Sequence, residues 1–337
     1  MKNNSSIMFF LLILFVFTVI LSLIQGPVDI SCKNIFKIIF YKLGIPVSIT
    51  WDHNVYAIIM SVRIPRVLLG ILVGMALAVS GCAMQSMFRN PMAGPYIVGI
   101  ASGASFGASV IIIFGWTRLL IVPGAFLFSL LTAFCVYYIA RVKGKVPVET
   151  LLLAGIAVSL FFSAMVSFTQ YYASESNLRE IVFWLMGGLW KADWYNVLVS
   201  FSVIVPCTFI LYLFNRELNA LMLGEEVAQN VGVKLETTRK IILVLSSLIT
   251  AAAVSVSGVI GFVGLIVPHI MRMFVGPNHR ILVPASAFAG GILLVWMDTF
   301  ARRIISPTEL PVGIITAILG VPFFLFLLRT RKKTMGF

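Results

Sequence analysis

Asp298 and Arg302 stand four residues apart in an otherwise apolar run. A helix brings positions i and i+4 onto one face, so a carboxylate and a guanidinium at that spacing can pair. Ionisable groups inside a membrane span are costly and are functional candidates by default. A proton relay would want a ladder of carboxylates at mid-depth, and the sequence offers none. Arg63 and Arg66 flank Pro65 in RIPR. Together with Arg302 they could accept carboxylates through paired N–H donation. Equally, they could snorkel, laying their stems on apolar surface with their heads in water. His269 follows Pro268 and has no second His, Cys or carboxylate at ligand spacing. That favours a hydrogen-bonded residue at a helix end over a metal ligand, and no metal site is expected.

Gly99, Gly103 and Gly107 recur every four residues in GIASGASFG. This spacing cuts a groove along one helix face and lets a second helix approach closely. A phosphate cradle would need a preceding strand, and the stretch is apolar on both sides. No GxxxxGK[ST] occurs, so the chain hydrolyses no nucleotide through a P-loop. It is read as a non-enzyme with no catalytic residues. Cys32, Cys82, Cys135 and Cys207 form no CxxC, and three lie in apolar runs. They read as small buried hydrophobes rather than as disulfide partners.

The elements that position these residues are membrane helices. The 337 residues are 60% hydrophobic and only 11% charged, against about 25% charged in soluble domains. Apolar runs lie near 7–24, 64–87, 96–114, 119–140, 150–172, 195–214, 240–257, 259–275, 281–301 and 310–328. Each approaches the ~20 residues needed to cross the hydrocarbon. The fold class is therefore an all-α integral membrane protein with ten spans, and residues 1–337 read as one membrane domain. The first run has a single Lys before it and no small-x-small cleavage site after it, so it reads as an uncleaved span. Residues 241–275 are long for one helix and short for two; Gly258 and Gly261 offer a turn that splits them. Residues 174–190 mix Trp, Met and paired glycines with charge, which suits a short helix lying in the outer interface.

Residues 215–236, NRELNALMLGEEVAQNVGVKLE, form a polar island. Leu218, Leu221 and Met222 fall at helical spacing, as do Val227, Ala228 and Val231. Gly224 and Gly232 stand where helices would stop. Glu225 and Glu226 would open the second helix, where its dipole favours negative charge. Two short helices, each with one apolar face, suit contact with another protein. With both termini inside, the inner segments hold the larger share of the 25 basic residues, as the positive-inside rule requires. The net charge of +13 is then a matter of orientation, and no nucleic-acid module competes for it.

Residues 63–107, from RIPRVLLGILVGM to GIASGASFG, resemble the most recognisable block of the FecCD family of ABC-importer permeases. LLLAGIAVS (151–159), FWLMGG (183–188), LGEEVAQNVGV (223–233), GFVGLIVPHIMR (261–272), GPNHRILVPASAFAGGILL (276–294) and ELPVGIITAILGVP (309–322) follow in the family's order. The resemblance covers nearly the whole chain. Met92 stands where the family usually has Leu, and Asn278 where it has Asp.

This family serves vitamin B12, iron–siderophore and haem uptake, and the resemblance implies a homodimer in the cytoplasmic membrane with both termini cytoplasmic. It implies two cytoplasmic ABC ATPase subunits, which carry ATP and Mg2+, and a periplasmic or lipid-anchored substrate-binding protein; the chain itself would hold no cofactor. Leu221, Gly224, Glu225, Glu226, Ala228 and Gly232 would belong to coupling helices at about 216–232. Arg63, Arg66 and Arg302 would dock acidic residues of the binding protein. Val148, Glu149 and Thr150 would form the cytoplasmic gate, and Gln170, Tyr171 and Tyr172 would face the translocation path. ATP-driven alternating access would move a metal chelate inward. The family's molybdate and tungstate branch offers an oxyanion instead, and an ATP-independent secondary transporter is the contrasting class.

Overall fold

A computed structural model describes residues 4–26, 28, 30–49, 51–305 and 308–334. Among the described residues, regular structure is helical, apart from one isolated bridge between Val142 and Lys145. The helices are α1 (Asn4–Ile24), α2 (Cys32–Lys42), α3 (His53–Ala57), α4 (Ile64–Met87), α5 (Ile100–Ile113), α6 (Ile121–Ala140), α7 (Val148–Tyr172) and α8 (Glu175–Met186). They continue with α9 (Trp194–Leu213), α10 (Asn215–Leu223), α11 (Glu225–Asn230), α12 (Leu235–Ser257), α13 (Val263–Val275), α14 (His279–Ala301) and α15 (Val312–Thr334). Among the described residues, seven helices are long and apolar enough to cross a membrane, and three shorter apolar ones lie at Ile100–Ile113, Val263–Val275 and Val312–Phe326. These ten coincide with the ten apolar runs of the sequence.

Two features differ most from expectation. The second span begins at His53, because α3 runs through a π-helical turn, Ile58–Arg63, into α4. Pro65 has no N–H to give the carbonyl of Ser61, and its ring crowds that carbonyl. A widened turn ahead of the proline relieves the crowding without breaking the helix. Helix α2, between the first two spans, was not anticipated. Its Ile35 and Ile38 are buried beside Leu23, Ile59 and Val67. The split of 241–275 occurs as expected: α12 stops at Ser257, Gly258 adopts φ 66°, and α13 starts at Val263.

Helix α4 is the hub, packing against α14, α12, α13 and α9. Its sequence permits this because small residues line it. A Cβ on Gly74 would lie 2.2 Å from the Gly290 carbonyl oxygen, and one on Gly290 would lie 2.3 Å from that of Gly74. The α4–α14 approach therefore excludes any side chain at either position. Between spans, Ser80 Oγ meets Thr250 Oγ1 at 2.7 Å, and Trp296 Nε1 donates to Thr18 Oγ1 at 3.0 Å. Such bonds contribute about 1 kcal/mol each inside a membrane protein.

A second group joins α5, α6 and α7, bridged to the hub by α12. The glycine groove packs here as its spacing predicted. Gly103 faces Thr132 and the Phe128 carbonyl, and Gly107 faces the Gly124 carbonyl, all on α6. Helix α7 is a rim helix: Leu153, Ile156, Leu160, Phe161 and Phe168 are exposed along it. Of the cysteines, only Cys82 is buried; Cys207 is half-buried, and Cys32 and Cys135 are exposed. The burial expected for Cys32 and Cys135 therefore does not hold in the single chain: Cys32 opens α2 at the surface and Cys135 sits on an outward face of α6. All four cysteines are free.

Candidate functional site

At one end of the bundle, α10 and α11 form the short helical pair expected of the polar island. Leu218 and Leu221 of α10 and Ala228 of α11 point inward and are buried. Gly224 separates the two helices with φ 120° and ψ 161°, a conformation few other residues adopt. Gly232 ends the pair at φ 84°. Glu225 and Glu226 occupy the first turn of α11. The outward side is apolar: Leu223, Val227 and Val231, spaced every four residues, are 72%, 41% and 66% exposed. Three large aliphatic side chains left in water on a short polar segment mark an interaction surface.

The segment is fastened inward at two places. Asn219 Oδ1 accepts the His279 backbone N–H at 2.9 Å and lies 2.7 Å from His279 Nδ1. His279 Nε2 lies 2.5 Å from Ser86 Oγ, which joins α10 to α14 and α4. Arg239 of α12 donates to Glu225 at 2.5 Å.

At the other end, the three arginines meet the ends of α1, α4 and α14. Arg63 donates to the carbonyls of Leu23 at 2.7 Å and Ile24 at 3.0 Å, and also to that of Val28. The first two are end-of-helix carbonyls that lack partners within α1. Arg302 donates to Gln25 O at 2.9 Å and Ser22 Oγ at 3.0 Å, and its Nε is 3.1 Å from Asp298. Arg66 grips Asp298 through Nε and Nη2 at 2.8–3.0 Å and reaches Glu309 through Nη1 at 2.8 Å. Two guanidiniums and two carboxylates thus balance in one cluster, as buried charge requires.

This placement changes how the arginines are understood. Arg63, Arg66 and Arg302 are 4%, 6% and 4% exposed, so they do not stand at the surface awaiting a partner's acids. They are a brace across the ends of three helices. Arg303, the next residue along, is exposed. At the same end, Trp194 Nε1 donates to the Met60 carbonyl at 2.8 Å and fixes the start of α9 against the π turn. A cavity of about 800 Å3 opens between α8, the starts of α6 and α9 and the end of α12. Arg118 and Lys191 both approach Glu180 at its lining.

A model of the FecCD transport family matches residues 13–330. The chain belongs to the FecCD family. It is 45% identical over 85% of its length, and 77% of the relative's, to the cobalamin import system permease protein BtuC of Halobacterium salinarum. It is 40% identical to the hemin transport system permease protein HmuU of Yersinia pestis, over 97% of this chain and 96% of that one. The molybdate import system permease protein MolB of Haemophilus influenzae is 36% identical over 97% and 96%. Among solved structures, an inward-facing conformation of a metal-chelate type ABC transporter superposes with a TM-score of 0.84 at 35% identity, over 97% of this chain and 99% of that one.

In this FecCD permease the residues expected at the gate open α7. Val148 is half-buried, Glu149 exposed, and Thr150 Oγ1 donates to Pro147 O at 2.9 Å. The residues expected on the path lie at the far end of the same helix. Tyr171 and Tyr172 are exposed and pack edge to face, and Gln170 is half-buried. Both sets lie on the rim helix, at its opposite ends. No His, Cys, Asp and Glu cluster suited to a metal ion occurs among the described residues. Glu236, Arg239, Asn219, Asp298 and Glu309 carry the polar links of both ends, yet the sequence flagged only Asp298 among them. The Glu236–Arg239 and Asp298–Arg302 pairs lie three and four residues apart on one helix, but the other partners lie on different elements, so local spacing carries only part of the signal.

Proposed function

We propose that this FecCD permease is the translocation subunit of a binding-protein-dependent ABC importer that moves a metal chelate inward. The observation that carries this reading is the exposed ridge Leu223–Val227–Val231 on the α10–α11 pair. That ridge suits insertion into a cleft on an ATPase subunit. Two such ATPases, binding ATP and Mg2+, would power a pair of permease chains, and no covalent chemistry would occur on this chain. Helices α7 and α15 carry long exposed apolar faces, which suit contact with a second copy around a central path.

The gate would be formed by Val148, Glu149 and Thr150, and the path would include Gln170, Tyr171 and Tyr172. A periplasmic or lipid-anchored binding protein would deliver cargo to the opposite face. Arg63, Arg66 and Arg302 would support that face from beneath, and Arg303 would be available to acidic residues of the docked protein. Both termini would be cytoplasmic.

Cobalamin and hemin, named for two of the relatives, favour a bulky chelate as cargo. The molybdate relative makes an oxyanion the second reading. The decisive experiment is transport in proteoliposomes by the purified permease with its ATPase and binding protein. Uptake of cobalamin, hemin or a ferric chelate that needs ATP supports the proposal. Uptake driven by an ion gradient without ATP overturns it, and ATP-dependent uptake of molybdate alone moves the cargo to the second reading.

A further inference from the structure

Glu225 of α11, Arg239 and Glu236 of α12, and the backbone just before α7 form one continuous polar line. Arg239 Nη2 donates to Glu225 Oε1 at 2.5 Å, and its Nη1 lies 3.6 Å from Glu236 Oε1. The other oxygen of Glu236 accepts the Val146 N–H at 3.2 Å. The Arg239 side chain is only 11% exposed, so little water competes for it. Val146 is buried two residues ahead of α7. Thr150, in the first turn of α7, is bonded back to Pro147 and to Ala140 at the end of α6. The α6–α7 turn and the start of α7 are therefore tied together.

The two helices of the α10–α11 pair are held differently. Helix α10 is fastened to the hub by Asn219, through the fully buried His279 and Ser86. Helix α11 is linked, through Arg239 and Glu236 in the first turns of α12, to the start of rim helix α7. The first fastening joins α10 to the closely packed α4 and α14. The second leads to a helix that packs on one side only. A displacement applied at the exposed ridge would turn the pair about its hub fastening, and the polar line would deliver that motion to α7.

We propose that Glu225, Arg239, Glu236 and the Val146 N–H are the link through which the ridge sets the position of the first turn of α7. Arg239 and Glu236 are positioning residues in it. The inference rests on the reading of α10–α11 as the ATPase contact. The two carboxylates are 45% and 40% exposed, so water can solvate whichever group loses its partner, and variants in this line are expected to fold.

The test uses the assembled permease–ATPase complex with Glu149→Cys as a reporter and N-ethylmaleimide as the probe. Labelling is compared with and without trapping by MgATP and vanadate, against the parent lacking the added cysteine. With the line intact, trapping changes the labelling rate several-fold. Arg239→Gln and Glu236→Ala abolish that change while the ATPase still co-purifies, and Arg239→Lys restores part of it. A full response in both Arg239→Gln and Glu236→Ala overturns the link, as does a reporter that ignores trapping in a complex that holds its ATPase. Failure of the unaltered permease to hold an ATPase overturns both the link and the functional reading beneath it.

Discussion

Arg66 and Asp298, 232 residues apart in sequence, share three hydrogen bonds of 2.8–3.0 Å at the junction of α4 and α14. Both side chains are below 10% exposed. Breaking a buried pair strands the surviving charge and costs about 3–5 kcal/mol. Arg66→Ala should therefore lower the yield of folded permease and its apparent Tm in detergent by several degrees. Arg303→Ala, at an exposed position, should leave both unchanged. A fully stable Arg66→Ala protein would show that this arginine is not part of a brace.

The Gly74–Gly290 contact makes a second prediction. Side chains there have no room against backbone carbonyls, and over-packing costs about 1–3 kcal/mol or more. Gly290→Leu should shift α14 away from α4 and lower the melting temperature. The measurement is a melt of the purified variant beside Gly115→Leu, where a Cβ meets nothing within 4 Å but φ is +64°. Gly290→Leu should lose more, because strain at one exposed turn is smaller than separation of two packed helices.

The exposed ridge can be tested without any cargo. Leu223→Glu with Val231→Glu changes side chains that touch water in the isolated chain, so monodispersity should persist. Burial of two such aliphatic side chains in a partner is worth roughly 1.5–3 kcal/mol each. Co-purification of the ATPase should weaken by about tenfold or more. Retention of the ATPase at the original ratio would place the contact elsewhere.

Orientation has its own measurement. Pro277 lies in the exposed turn before α14, and Thr117 in the exposed turn before α6. A Pro277→Cys variant should react with an impermeant maleimide only in inside-out vesicles, and Thr117→Cys only in right-side-out ones. Gly276, one residue earlier, is unsuitable because its φ is +85°. Labelling of both positions from one side would break the ten-span arrangement.

The spans were legible because an apolar run of bilayer length has few alternatives, and the glycine groove because a period of four maps onto one helix face. The island was legible because Gly224 and Glu225 are strong punctuation. The brace was not. RIPR looks the same whether its arginines face water or Asp298, and the choice is made by a helix more than two hundred residues away. The π turn escaped because Pro65 announces a disturbance without saying whether the helix ends there or widens. Arg239 escaped because Glu225 reaches it, and Val146 reaches its neighbour Glu236, through folding alone.

Helix α4 runs through the centre of the subunit with almost no face free, whereas α7 and α15 turn whole rows of side chains outward. A helix enclosed on every side has no means of sensing what passes by. If α7 and α15 line the path as proposed, discrimination between cargoes within this subunit would rest with the open rows, where a substitution meets few neighbours in its own chain. The interior would then serve as a chassis beneath those rows. Grafting the outward rows of α7 and α15 from a relative of different cargo is thus the natural route to altered preference in an intact fold.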